Sequence, residues 1–361
     1  MKRFALLALL VIVLFSVIAP AALAQSGSPV QVAAEQYFAG GTKNIKAADL
    51  FANLNDGDPS NDPFMVDNRA PEDYANGHIP GAVNITAKAL FTADALAKLP
   101  KDKQIVLNCY AGQTASQTTA ALRMMGYDAY NLLYGAPSWG TNEKVTYPFT
   151  ADQSGNYKVS TDAVQLEGAF DAPKPLGDTV EAAAMTYFAG GTKNIKAADV
   201  FANLNDGDAS NDPVILDARS AEDYALGHIA GAVNVSAKTL FTPENLAKLP
   251  ADKQIVSYCY SGQTASQTTA ALRLLGYDAY NMQFGLPSWA IVPGVSVGVW
   301  DVSKSLNQPL VLGTEATASA AAASAAAPAP AALPTTGAPI ILGLALAGLG
   351  LVSAGAALRR R

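Results

Sequence analysis

The chain contains the same unit twice. "YFAGGTKNIKAAD" begins at Tyr37 and again at Tyr187, and "NLNDGD" begins at Asn53 and Asn203. His78 matches His228, Cys109 matches Cys259 and Trp139 matches Trp289, and every pair lies 150 residues apart with no gap. A period this long excludes a solenoid of short repeats and demands two similar globular units. Without the two ends of the chain, roughly 285 residues remain, which suits two domains of about 140 residues each. The near-identity points to a young duplication, so a residue is not marked as functional merely because both copies hold it.

Within the first unit, helical patterns alternate with short apolar runs. "IKAADLFANLNDGD" begins helical and ends in an Asx/Gly turn, and "PFMVD" (63–67) has the apolar run of a buried strand. "PEDYANGHIPGAVNI" reads as a short helix, a Gly-rich turn and a second strand; "ADALAKL" is helical and "QIVLN" is another strand. "ASQTTAALRMM" is helical with Gly126 placed as its C-terminal cap, and "AYNLL" is a last strand. This alternation predicts an α/β fold, with a central parallel sheet in each unit and helices on both faces. The expected boundaries are 30–150 for the first unit, 151–179 for a linker and 180–312 for the second unit. Polar and turn-forming residues dominate the linker, which is expected to be irregular and to pack partly on the domains.

Cys109 and Cys259 are the only cysteines. Each follows a strand and opens a short loop, "CYAGQT" or "CYSGQT", before a helix. Ligand sites in such sheets lie outside the carboxyl ends of the strands. Three readings compete: a small buried hydrophobe, a disulfide that would need both loops to face each other, and a nucleophile. The strand-end position and the glycine three residues on favour the nucleophile. The loop residues are Tyr110, Ala111, Gly112, Gln113 and Thr114 in the first unit, and Tyr260, Ser261, Gly262, Gln263 and Thr264 in the second. Their backbone N–H groups and the helix dipole are expected to lower the thiol pKa and to cradle an anion attached to the sulfur.

At this point a family resemblance is visible. "VDNRAPEDYANGHIPGAVNI", "CYAGQTASQTTAALRMMGY" and "GAPSW" in the first unit, with "LDARSAEDYALGHIAGAVNV", "CYSGQTASQTTAALRLLGY" and "GLPSW" in the second, resemble the rhodanese domain. The resemblance implies sulfurtransferase activity of the thiosulfate or 3-mercaptopyruvate class. The cysteine thiolate takes sulfur from a small donor and passes it from a cysteine persulfide to a thiol or cyanide acceptor, which is covalent catalysis in two steps. Many tandem members keep the cysteine only in the second unit, whereas this chain keeps both. Thiosulfate-preferring members often carry basic residues in the loop; neither loop here has Arg or Lys, which leaves the donor open. Phosphatases of the same fold need a longer loop ending in arginine to grip the phosphoryl oxygens. Ala115 and Ala265 stand six residues after the cysteines, which argues against that chemistry. The alternative of another class is a non-catalytic surface binding or scaffold protein built from these domains.

Other features read as structural. Asp67 and Arg69, with Asp217 and Arg219, are expected to support the site by pairing at a strand end. His78 and His228 supply one imidazole per unit, too few for a metal site, and no metal or other cofactor is expected. "NDGDPSND" (55–62) lacks the glycine and glutamate placement of an EF-hand loop and reads as a turn. Trp139 and Trp289 are expected to be packing residues. A net charge of −6 and no basic patch in the folded part argue against nucleic acid as a partner.

The ends carry address signals. Lys2 and Arg3, an apolar run and "ALA" at 22–24 read as a secretory signal peptide over 1–24. Residues 313–332, rich in Ala, Pro, Ser and Thr, read as a flexible stalk. "LPTTG" at 333–337, an uncharged run over 338–358 long enough to cross a bilayer, and Arg359–Arg361 follow in order. That trio resembles the cell-wall sorting signal read by sortases. It implies cleavage between Thr336 and Gly337, attachment to the cell envelope and display at the cell surface.

Overall fold

The computed structural model describes residues 27–314. The expected signal peptide (1–24), nearly all of the stalk (313–332) and the sorting signal (333–361) lie outside the described residues. Among the described residues, no helix is long and apolar enough to cross a membrane.

Each unit is built on a five-stranded parallel sheet. In the first unit the strands are β1 (Asn44–Ile45), β2 (Phe64–Asp67), β3 (Val83–Asn84), β4 (Ile105–Asn108) and β5 (Ala129–Leu132), in the spatial order β1-β5-β4-β2-β3. The second unit repeats this with β6 (Asn194–Ile195), β7 (Val214–Asp217), β8 (Val233–Asn234), β9 (Ile255–Tyr258) and β10 (Ala279–Met282), ordered β6-β10-β9-β7-β8. β4 and β9 lie at the centre, and all their residues are buried because helices cover both faces. The sequence runs at 63–67 and 104–108 become β2 and β4, and "AYNLL" becomes β5. "ADALAKL" yields only the four-residue helix Ala93–Leu96. The helix Pro29–Ala39, capped by the Ser28 hydroxyl accepting from Gln31 N at 3.2 Å, and the two-residue edge strand β1 were not visible as patterns.

The two units are not beads on a string. One buried apolar cluster contains residues of both, from Val30 and Phe38 to Phe241 and Ala279. The helix after each cysteine, Gln113–Met124 or Gln263–Leu274, packs against its counterpart. Phe38 stacks on Phe241 at 4.3 Å, and Phe188 stacks on Phe91 at 4.0 Å. The opening helix of each unit therefore leans on the other unit.

The tails are exchanged in the same way. After the first unit, the chain at 155–160 lies on the second: Tyr157 N donates to Trp289 O at 2.9 Å, and Ser160 pairs with His228 through both backbones. After the second unit, the chain at 306–313 lies on the first: Gln308 N donates to Trp139 O at 2.9 Å, and Val311 pairs with His78. Trp139 and Trp289 are packing residues whose indole N–H groups donate to Pro309 O and Lys158 O. The link is thus largely irregular and packed on the second unit.

This exchange leaves no room at Gly140, where a Cβ would collide with the carbonyl oxygen of Gln308. The φ of Gly140 is −162°, extended backbone open to any residue, so the constraint is purely steric. Gly140→Ala should lower stability by about 1–3 kcal/mol, the usual cost of forcing atoms into packed space. Urea denaturation checks this, and in a chain ending at residue 304 the same substitution should cost nothing.

Candidate functional site

Cys109 stands one residue past the end of β4, and Cys259 one past the end of β9. The chain then turns through Gly112 or Gly262, with φ +78° and +81°, straight into the first turn of the next helix. At Gly112 glycine is needed twice over: the left-handed φ disfavours a side chain, and a Cβ would meet Gln263 Oε1 of the other unit. The loop is closed from behind by Ala136 N, which donates to Cys109 O at 2.9 Å, as Leu286 N does to Cys259 O.

Backbone N–H groups converge on each sulfur as expected. Ala115 N lies 3.4 Å from Cys109 Sγ, and Ala265 N lies 3.5 Å from Cys259 Sγ. Those of Ala111, Gly112 and Thr114, and of Ser261, Gly262 and Thr264, also act on their thiols. The expected fall in thiol pKa is overturned, however. Both cysteines are only 2 % exposed. Burial raises both thiol pKa values by more than the N–H groups lower them. Enclosure in the folded protein removes the water that a thiolate would need.

The two loops do face each other across the interface, the condition a disulfide would require, yet both cysteines are free. Gln113 and Gln263 reach across instead of curling over their own sulfur. Gln263 Oε1 accepts from Asn131 Nδ2 at 2.9 Å and from Tyr134 N at 3.0 Å, and Gln113 Oε1 accepts from Asn281 Nδ2 at 2.9 Å. Tyr134 and Phe284, at equivalent positions, hold left-handed φ values of 65° and 61°. Non-glycine residues persist in that region only where surroundings enforce it. Here Tyr134 N is fixed by Gln263, and the ring packs on Tyr147 and Trp300.

A cavity of 220 Å³ opens beside Cys109. Tyr110, Ala111, Gln113 and Thr114 line it from the loop, while Pro148 comes from the end of the first unit and Asn194, Gln283 and Phe284 from the second. These last four were missed from sequence, since they lie in other elements and carry no motif. Tyr110 is 40 % exposed and tied sideways: its hydroxyl donates to Asp73 Oδ2 at 2.6 Å and accepts from Ala70 N at 3.2 Å. Burial and that carboxylate push its pKa up to about 12.

Asp67 and Arg69 form a buried two-pronged pair, Nε to Oδ1 at 3.0 Å and Nη2 to Oδ2 at 2.6 Å. Arg69 Nη2 also donates to Gly77 O at 2.7 Å, so the pair fixes the turn after β2. Asp217 and Arg219 repeat this, with Tyr258 adding its hydroxyl to Asp217 Oδ2 at 2.5 Å. His78 and His228 are buried and meet the carbonyls of Tyr74 and Tyr224 through Nδ1, the structural bond expected of them. The 55–62 segment is a turn closed on itself, with Asp58 N and Asn61 Nδ2 both donating to Asp56.

With burial dominant, alkylation of the native protein by iodoacetamide should accelerate with pH and still be rising at about pH 8.5, the ordinary thiol midpoint. A plateau near neutrality would show that the N–H cradle outweighs burial.

Comparison with known proteins finds the family described as "Rhodanese-like domain" at residues 46–142 and 197–291, together more than half of the chain. The probable adenylyltransferase/sulfurtransferase MoeZ of Mycobacterium tuberculosis is 32 % identical over 84 residues, which is 23 % of this chain and 21 % of that protein. The tRNA uridine(34) hydroxylase of Onion yellows phytoplasma is 34 % identical over 95 residues, 25 % of this chain and 31 % of that one. The chain thus spans less than a third of the length of either relative. Among solved structures, a rhodanese-like domain protein from Staphylococcus aureus is 24 % identical over 29 % of this chain and 98 % of that one, with a TM-score of 0.26. A thiosulfate sulfurtransferase from Pseudomonas aeruginosa is 19 % identical over 76 % of this chain and 49 % of its own, with a TM-score of 0.27.

Proposed function

The chain belongs to the rhodanese-like domain family, and from that premise we propose that it is a sulfurtransferase with Cys109 and Cys259 as nucleophiles. The observation that carries this is the convergence of backbone N–H groups on each sulfur at a strand end. Such a cradle suits an anion bonded to the sulfur. In the first step the thiol gives its proton to solvent, and the thiolate attacks the outer sulfur of a donor of the thiosulfate or mercaptopyruvate type. A bond forms from Sγ to that sulfur, and the bond that held it in the donor breaks, its electron pair leaving with the donor remnant. In the second step a thiol or cyanide attacks the outer sulfur and restores the thiolate. Because burial raises the thiol pKa, deprotonation is the step that neutral pH restrains.

We infer that this work is done outside the cell. The run through Ala24 supports export, and the Leu333–Gly337 motif with its apolar span and Arg359–Arg361 supports sortase processing at Thr336–Gly337 and attachment to the envelope. Charge of −6 supports small-molecule substrates over nucleic acid. The near-complete burial of both thiols favours a second reading, a surface scaffold that does not turn over.

Intact-mass measurement separates the two. After incubation with thiosulfate or 3-mercaptopyruvate, the chain should gain one sulfur per competent loop, and the Cys109→Ser, Cys259→Ser double variant should gain none. If the wild type gains none with either donor, the scaffold reading stands. Deleting Leu333–Gly337 should shift the protein from the cell-wall fraction to the membrane or the medium, read by immunoblotting of fractions.

A further inference from the structure

The segment that leaves each unit passes a cysteine loop on its way to the opposite unit, but the two segments are tied differently. The link is held at both ends. Residues 155–160 lie on the second unit, and the chain then enters the helix Val180–Ala189 of that unit. The C-terminal segment is followed by the low-complexity run to residue 332, which has too few large apolar groups to hold it from the far side.

Residues 298–304 cross the Cys259 loop. Gly298, at φ +90°, lies so close to Tyr260 that a Cβ would stand 2.9 Å from the Tyr260 carbonyl oxygen. The Gly298 carbonyl accepts from the Tyr134 hydroxyl at 3.4 Å, and Lys304 Nζ sits 4.8 Å from the centre of the Tyr134 ring. Tyr134 N in turn donates to Gln263 of the same loop. Trp300 stacks on Tyr147 at 4.8 Å. Burial, Tyr134 and the charge of either thiolate raise the pKa of Tyr147, so Trp300 caps a ring within electrostatic reach of both sulfurs. The cover shows in the twin tyrosines, for Tyr110 is exposed and Tyr260 is half-buried. Pro148, the twin of Gly298, stands on the wall of the open cavity beside Cys109.

Residues 306–313 then fasten this segment to the first unit. Leu306 N, Gln308 N and Gly313 N donate to Ser138 O, Trp139 O and Ala75 O, and Val311 and His78 exchange two backbone bonds. Leu306 and Leu310 pack on the cluster that contains Trp139. Segments held by so few apolar contacts open as cooperative units, at a lower free energy than the whole fold.

We propose that residues 298–313 form a strap that gates Cys259: docked on the first unit it holds the Cys259 loop closed, and its release frees that loop while the Cys109 loop stays as it is. The contacts of the strap are lost together, so weakening any of them raises the released population. A change made in the first unit therefore acts on the thiol of the second. With the chain anchored through its C-terminus as proposed above, the anchor pulls through this strap first. The gate concerns access to a thiol and holds whether or not that thiol carries sulfur.

The test follows iodoacetamide alkylation of Cys259 and Cys109 separately, by peptide mass, in the full chain. Gly140→Ala crowds Gln308, and Leu310→Ala thins the packing on the Trp139 cluster. Each should raise the Cys259 rate relative to the Cys109 rate by about tenfold, as expected for a locally opening segment. Equal acceleration of both cysteines in a variant that stays folded overturns the gate. Should a variant unfold outright or leave the strap docked, the wild type decides. In urea below the unfolding transition, Cys259 alkylation should rise in step with hydrogen exchange at the Gln308 and Val311 amides, and Cys109 should lag. If those amides exchange faster and Cys259 does not follow, the gate is overturned.

Discussion

Gln117 and Gln267 hold the two units in register, and much of the molecule depends on them. Each lies on the helix that follows a cysteine and reads the backbone of the opposite unit. Gln117 accepts from Tyr187 OH and Lys193 N and donates to Lys193 O; Gln267 does the same with Tyr37 and Lys43. Apolar packing between the helices is non-directional and would tolerate sliding. Buried hydrogen bonds to fixed backbone groups do not, because a slip would strand several donors at about 1–3 kcal/mol each.

That register brings the two loops together. Helices locked face to face bring Gly112 against Gln263 and Gly262 against Gln113. Both thiols are buried, and their pKa values rise instead of falling. The same contact carries Asn194, Gln283 and Phe284 into the wall of the Cys109 cavity. An isolated first unit would keep the N–H cradle but would lose three of the nine residues that line the pocket. The wall of the Cys109 cavity therefore draws on both units, although every motif that marks it lies within one.

Much of the architecture was legible in the sequence because apolar runs mark strands that are buried on both faces. "FMVD" and "IVLN" became β2 and β4, and the loop between strand and helix fell where its glycine placed it. β1 was not legible, since Asn44–Ile45 is too short for a pattern and pairs at the sheet edge with β5. The direction of the thiol shift was misjudged for a related reason. The N–H groups that lower it are local and visible in "CYAGQT", but the desolvation that raises it depends on burial in the folded chain, which the loop sequence does not show. Gln113 looked like part of its own anion cradle, and nothing near it reveals that its oxygen answers to Asn281.

The exchange of tails shows where such reading must stop. Tyr157 N meets Trp289 O as Gln308 N meets Trp139 O, and Gly155 N meets Ser288 O as Leu306 N meets Ser138 O. The paired tail residues are 151 apart, one residue out of step with the repeat, and the two tails share almost no sequence. Backbone hydrogen bonds need an extended chain and no particular side chain, so two unlike segments can occupy equivalent grooves without a common motif. What does leave a mark is the absence of a side chain where the tail passes. Gly140 stands opposite Ala290 in the twin, and the missing methyl leaves room for the carbonyl oxygen of Gln308. The repeat of 150 residues announces two copies, but it takes contacts of this kind to show that each copy is completed by the chain leaving the other.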